Sequence, residues 1–112
     1  MCLFCKIVAG EIPSKILFQD DDVLAFADIK PVAPTHALVI PKRHITSLND
    51  AEPSDGELLG KMMLAARRAA VEAGIDRSGW RFVVNNGGDA GQSVFHVHAH
   101  VLGGRVMAWP PG

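Results

Sequence analysis

Ser93-Val94-Phe95-His96-Val97-His98-Ala99-His100-Val101-Leu102 interleaves imidazoles with apolar strand formers. In a β-strand successive side chains point to opposite faces, so an extended run would place His96, His98 and His100 on one face and Val97, Ala99 and Val101 on the other. These are three of the chain's 5 histidines. Imidazole is the side chain whose unperturbed pKa lies near neutrality, which suits it to proton transfer, nucleophilic attack or metal ligation. A single strand histidine is most simply a satisfied structural residue; three in register on one face call for a chemical explanation.

Upstream of this run, Trp80-Arg81-Phe82-Val83-Val84-Asn85 reads as the preceding strand, joined to it by Asn86-Gly87-Gly88-Asp89-Ala90-Gly91-Gln92. Glycines alone would suit a hairpin connection. Placed just before the histidines, Gly91-Gln92-Ser93 could also present backbone N–H groups and a hydroxyl to an anion over His98. Before that strand the longest helix is expected from Asp55 to Ala73, with Ser54 and Glu57 as a capping box and Gly74 as its stop. Leu59, Met62, Met63, Ala66, Ala69, Ala70 and Ala73 form its apolar stripe, so the methionines have a packing role and need no cofactor.

The N-terminal half supplies the remaining strands. Phe4 to Ala9 reads as a short helical turn ending at Gly10. Lys15-Ile16-Leu17-Phe18-Gln19 and Val23-Leu24-Ala25-Phe26-Ala27 form a hairpin about the acidic turn Asp20-Asp21-Asp22, which lacks the spaced ligands of a calcium loop. Asp28 follows as a turn residue, or as a carboxylate able to accept both hydroxyls of a ribose. Thr35-His36-Ala37-Leu38-Val39-Ile40-Pro41 is a further strand, stopped by its proline and followed by the surface charges Lys42 and Arg43. The terminal Trp109-Pro110-Pro111-Gly112 cannot continue a central strand, and Trp109 is expected to anchor the tail, against another subunit if not its own. The sum is an α+β domain spanning residues 1–112, with an antiparallel sheet of about five strands, one long and one short helix, and one covered face. Open sheet edges make a homodimer, with the sheet extended across it, the expected assembly.

Composition narrows the function. A chain of 112 residues with 48% hydrophobic content and a net charge of -1 has a core but no basic footprint for nucleic acid. No signal peptide or membrane-spanning run is visible, so a cytoplasmic location is expected. In such a reducing compartment the only two cysteines, Cys2 and Cys5, point to metal ligation or redox chemistry, and no strand leads into the motif as a redox site would require. Three strand histidines on one zinc ion would make a metal hydrolase, but positions i, i+2 and i+4 span about 13 Å at ~3.3 Å per residue. Covalent catalysis fits the spacing better: one imidazole attacks phosphorus while its neighbours orient it and contact the phosphate. A non-catalytic nucleotide-binding or scaffold dimer is the remaining reading.

His96-Val97-His98-Ala99-His100-Val101-Leu102 resembles the histidine-triad (HIT) signature. Gly91-Gln92-Ser93-Val94-Phe95, Pro34-Thr35-His36, Val39-Ile40-Pro41-Lys42-Arg43-His44 and the terminal Trp109-Pro110-Pro111-Gly112 are similar to the HINT branch of that family. The resemblance implies a homodimer that hydrolyses purine nucleoside phosphoramidates through a nucleotidyl-histidine intermediate, with no cofactor needed for catalysis. It implies His98 as nucleophile, oriented by the carbonyl of His96, with His100 on the phosphate, His36 supporting the cluster and Ser93 on the leaving group. Gly91, Gln92 and Asn85 would line the phosphate site. Asp28 would hold the ribose hydroxyls, and Phe26, Ile29 and Leu38 would line the base or sugar pocket. In other branches a Cys-x-x-Cys pair and two histidines hold structural zinc; by position Cys2, Cys5, His44 and His96 would do so here, bracing the histidine strand without activating water.

Overall fold

The computed structural model describes residues 2–112. Its elements run α1 (Leu3–Val8), β1 (Ile16–Gln19), β2 (Val23–Ala27), β3 (Thr35–Pro41), α2 (Gly56–Glu72), β4 (Trp80–Val84) and β5 (Ala99–Gly103). Two 3-10 turns, Leu48–Asp50 and Pro53–Asp55, lie between β3 and α2. The five strands make one antiparallel sheet in the order β1-β2-β3-β5-β4, the α+β arrangement expected. The last strand is therefore inserted between two earlier ones, and His100 is paired on both sides, opposite Leu38 and Val83.

Local chemistry explains the boundaries. Asp20 Oδ1 accepts the N–H groups of Asp22 (2.8 Å) and Val23 (2.9 Å), which makes the acidic run a hydrogen-bonded turn. Those N–H groups hold the Asp20 carboxyl below its usual range. The capping box before α2 is formed by Glu52 and Asp55, not Ser54 and Glu57, because Pro53 opens a 3-10 turn one step earlier and Asp55 Oδ2 accepts the Glu52 N–H at 2.8 Å. Arg43 pairs with the same Asp55 carboxylate, tying the β3 exit to the start of α2.

Alternation along β2 sorts the core into two parts. Val23 and Ala25, with Ala37, Val39, Ala99 and Val101, face α2, which buries Met62, Ala65, Ala66, Ala69 and Ala70 against them. Met63, expected on that stripe, is exposed because it lies about 100° round the helix from Met62. Ala73 is exposed as the C-cap residue. Leu24, Phe26, Leu38 and Ile40 point the other way, onto Phe4 and Ile7 of α1. The sheet is thus covered on both faces rather than one; at 6 residues α1 is short, but Phe4 and Ile7, one turn apart, give it a buried side.

A second correction concerns the histidines. The strand begins only at Ala99, and Ser93 to His98 follow an irregular path. The Val97 N–H donates to Ile45 O at 2.6 Å instead of to a sheet neighbour. Lys15 and Asn85 likewise fall just outside β1 and β4.

Candidate functional site

His36 and Leu38 alternate onto the same side of β3, and His100 stands directly opposite Leu38. Their side is the one covered by α1, so Phe26, Asp28, Ile29, Leu38, Ser93, His98 and His100 line one cavity of about 420 Å³. That volume is within the range of small-molecule sites. The same wall holds residues the sequence reading missed: Leu3, Phe4 and Ile7 from α1, and Ile12 and Val94. Their only signal was the spacing of Phe4 and Ile7. A hollow of about 530 Å³ between Trp80, Arg81, Arg105 and Val106 is larger but holds no imidazole or carboxylate, so the chemistry is assigned to the smaller cavity.

Backbone groups decide which ring nitrogens are free. His98 Nδ1 lies 2.7 Å from the His96 carbonyl, which can only accept, so Nδ1 carries the proton and Nε2 keeps its lone pair. His36 Nδ1 accepts the Val32 N–H at 3.1 Å, so His36 Nε2 carries a proton and donates it to His100 Nδ1 at 2.9 Å, with Asp28 Oδ2 3.3 Å away. His100 Nε2 then holds its own hydrogen as a donor. The His98 and His100 ring centroids are 5.1 Å apart, so the two rings are direct neighbours.

Burial favours the neutral form of the His100 and His36 rings. It lowers the His100 pKa to about 4, assisted by His98 and His36 and partly opposed by Asp28. Burial also lowers His36, against the pull of Asp28. Asp28 Oδ1 accepts the Lys30 N–H at 2.8 Å, fixing the carboxylate at the cavity wall.

The glycine loop behaves differently from expectation. The Gly91 and Gln92 N–H groups are used within the loop, on Gly88 O (3.0 Å) and Gly87 O (3.1 Å), and cannot cradle an anion. Gln92 is buried, its amide satisfied by Thr46 O, Val94 O and the Gly87 N–H, so it braces the loop from within. Gly91 supplies the positive φ of 88° that the turn needs. Of the loop triplet, Ser93 alone reaches the cavity, and Asn85 does not. Trp109, expected to anchor the tail, is 81% exposed in this chain, with the Arg81 guanidinium 5.8 Å from its ring centroid.

His96 does not join the row. It is fully buried, and its Nε2 donates to Pro41 O at 2.7 Å, turning the Nδ1 lone pair toward Cys2 Sγ (3.4 Å), Cys5 Sγ (3.5 Å) and His44 Nδ1 (3.2 Å). Cys5 Sγ is 3.4 Å from His44 Nδ1. With zinc–nitrogen bonds of about 2.0–2.1 Å and zinc–sulfur bonds of about 2.3 Å, a tetrahedron has edges of roughly 3.3–3.4 Å between nitrogens and about 3.6 Å between nitrogen and sulfur. The four donors therefore fit a zinc ion, and the carbonyl on His96 Nε2 is the outer contact such a ligand needs. Burial and the adjacent Cys2 thiol hold the Cys5 thiol above its ordinary pKa. Asp28, His36 and His100 also lie close together, but there the Val32 N–H keeps a proton on His36 Nε2, where a metal would have to bind.

A HIT domain family model matches residues 9–107. A HIT-like protein of Synechocystis is 48% identical over 110 residues, covering 98% of this chain and 96% of the relative. The "14 kDa zinc-binding protein" of Zea mays is 47% identical over 112 residues, covering 98% and 87%. The crystal structure of a HIT family hydrolase from Legionella pneumophila superposes with a TM-score of 0.98 at 50% identity over 100% of both chains. By sequence and by fold, this chain belongs to the HIT domain family.

Proposed function

We propose that the chain, as one HIT-like domain of the HINT type, hydrolyses the P–N bond of purine nucleoside 5′-phosphoramidates to a nucleoside monophosphate and an amine. The observation that carries this reading is the His98 tautomer: a ring held by a backbone carbonyl at 2.7 Å, its other nitrogen unprotonated at a cavity that also holds Asp28. His98 Nε2 attacks the α-phosphorus, and the P–N bond breaks as the departing nitrogen takes a proton through the Ser93 hydroxyl. Water then attacks the phosphorus, cleaves the bond to Nε2 and releases the monophosphate. The His100 Nε2–H donates to the phosphoryl oxygens as charge builds there. Asp28 accepts the ribose hydroxyls, and Phe26, Leu38 and Ile29 line the sugar and base pocket. The name of the Legionella relative, a HIT family hydrolase, supports the reaction class.

Adenosine 5′-phosphoramidate is the test substrate. It should release AMP, rapidly quenched protein should carry an adenylyl group on His98, and His98→Ala should lose at least about 10⁴-fold in kcat. Binding of AMP without turnover of any phosphoramidate would leave a nucleotide-binding module instead.

Structural zinc is a second reading of a separate cluster, favoured by the tetrahedral spacing of Cys2, Cys5, His44 and His96. All four positions are then protein ligands, so a bound ion would brace the chain, with catalysis left to the imidazoles. Assembly is the third element of the proposal: the open β4 edge, exposed Trp109 and Val106, and exposed Met63 and Leu64 suit a homodimer. Reduced thiols suit a cytoplasmic setting.

A further inference from the structure

The Cys2, Cys5, His44, His96 cluster meets the catalytic cavity at two points. His96 is shared: its ring faces the thiols, and its carbonyl oxygen holds His98 Nδ1. Phe4 sits between the two cysteines in α1, and its ring edge packs on His98 at 5.0 Å and 86° and on His96 at 6.0 Å and 75°. Phe4 also forms part of the cavity wall together with Leu3 and Ile7. The group that orients the nucleophile and the helix that packs on it are therefore both fastened by the same pair of sulfurs.

That pair is open to attack. Cys2 and Cys5 are half-buried and His44 is exposed. Their sulfurs lie within 4.8 Å of each other, three residues apart at the start of a helix, with Cys2 Sγ accepting the Cys5 N–H at 3.4 Å as the N-cap. A disulfide needs an S–S distance of about 2.05 Å, whereas two thiolates on one tetrahedral zinc stand roughly 3.8 Å apart. Metal holding and disulfide formation are thus mutually exclusive states of one pair.

We propose that Cys2 and Cys5 form an oxidation-sensitive clasp that controls the His98 site. Hydrogen peroxide takes two electrons from the two thiolates: the S–S bond forms, the O–O bond breaks, two protons are taken up and two waters leave. The disulfide sulfurs no longer carry the negative charge that held the metal, so the ion departs, the first turn of α1 shifts, and Phe4 and the His96 carbonyl lose their fixed relation to His98. Reduction by a dithiol followed by zinc reverses each change. The catalytic consequence rests on the phosphoramidase reading above; the clasp itself does not.

The experiment treats the full-length, zinc-loaded protein with one equivalent of hydrogen peroxide and follows four signals. A chromogenic chelator should report zinc release, and peptide mass mapping should show loss of two hydrogens on the Cys2–Cys5 peptide. Nitrogen-15 spectra should show the His98 ring signals moving, and turnover of adenosine 5′-phosphoramidate should fall about tenfold or more, the size of effect that outer contacts exert. Dithiothreitol plus zinc should restore all four. Cys2→Ser/Cys5→Ser should start at the low activity and lose no more on peroxide treatment; if that variant does not fold, reversal in the natural chain carries the same test. Release of zinc with a disulfide formed but with His98 signals and turnover unchanged would overturn the proposal, as would failure of the disulfide to form. Should the reduced, zinc-loaded protein turn over no phosphoramidate, the phosphoramidase reading fails, while zinc release and the His98 spectrum still judge the clasp.

Discussion

Zinc should raise the thermal midpoint of this protein by an amount that chain length lets one work out. A ligand that binds the folded chain alone, at a free concentration about 100 times its Kd, adds about 2.7 kcal/mol. At about 2.1 cal/mol/K of unfolding entropy per residue, 112 residues give about 0.24 kcal/mol/K, so the midpoint should rise by about 11 °C. Both thiols must lose their protons to bind, and burial already holds the Cys5 thiol high, so affinity, and with it the shift at fixed zinc, should grow as pH rises. Differential scanning calorimetry of metal-free protein in zinc-buffered solutions between pH 6 and 8 measures this. Cys5→Ser should abolish most of the shift. An equal shift in that variant, no shift in the natural chain, or a shift that shrinks with rising pH would each refute the Cys2-Cys5-His44-His96 assignment.

Three further outcomes follow from other contacts. Asp28→Asn keeps an acceptor for the Lys30 N–H but removes the charge offered to ribose, so kcat/KM for a ribonucleoside phosphoramidate should drop by about 1.5–3 kcal/mol, and a 2′,3′-dideoxy analogue should show a far smaller drop; equal losses for both would remove Asp28 from ribose binding. Phe4→Ala deletes a ring that is 4% exposed and packed on Phe26, His96 and His98, and should cost about 3–5 kcal/mol by urea denaturation; a cost under about 1 kcal/mol would show that α1 is not seated as described. In metal-free protein, burial depresses the folded pKa values of His36, His96 and His100, so the unfolded chain binds protons first as pH falls: stability is full above about 6.5 and declines toward the His100 value of about 4. The depressed Asp20 and Asp55 carboxyls act below that window, so a urea midpoint flat from pH 7 to 4.5 would contradict burial of the imidazoles.

Much of the fold was readable because period and punctuation agree. β2 and β3 coincide with the expected Val23–Ala27 and Thr35–Pro41, and α2 ends at Glu72, one residue short of the expected Ala73. The convergence of Asp28, His36, His98 and His100 in one cluster follows the family resemblance rather than any local signal, since His36 and His100 meet only through the insertion of β5 beside β3. What was hidden is tertiary. Strand periodicity placed His96 beside His98, and only the family resemblance placed it with the cysteines; the cause is that the Ile45 carbonyl takes the Val97 N–H and the chain bends, sending the His96 ring to the sulfurs. Gln92 was expected at the phosphate site from the loop's place before the histidines and from the family resemblance; three backbone partners around its side chain turn it inward. The short α1 offered too few residues for a periodic signal, yet it closes the cavity.

The division of the sheet into two sides has a bearing on how the protein tolerates change. At residues 25 and 26, 37 and 38, and 99 and 100, adjacent positions serve different ends: Ala25, Ala37 and Ala99 are pressed beneath α2 with almost no room, while Phe26, Leu38 and His100 shape the ligand cavity. A saturation scan along these strands should oscillate with a two-residue beat, enlargement at one position emptying the folded population and at the next altering which molecules are accepted. Specificity in such a scaffold can drift along every second residue while the packed layer behind it stays fixed.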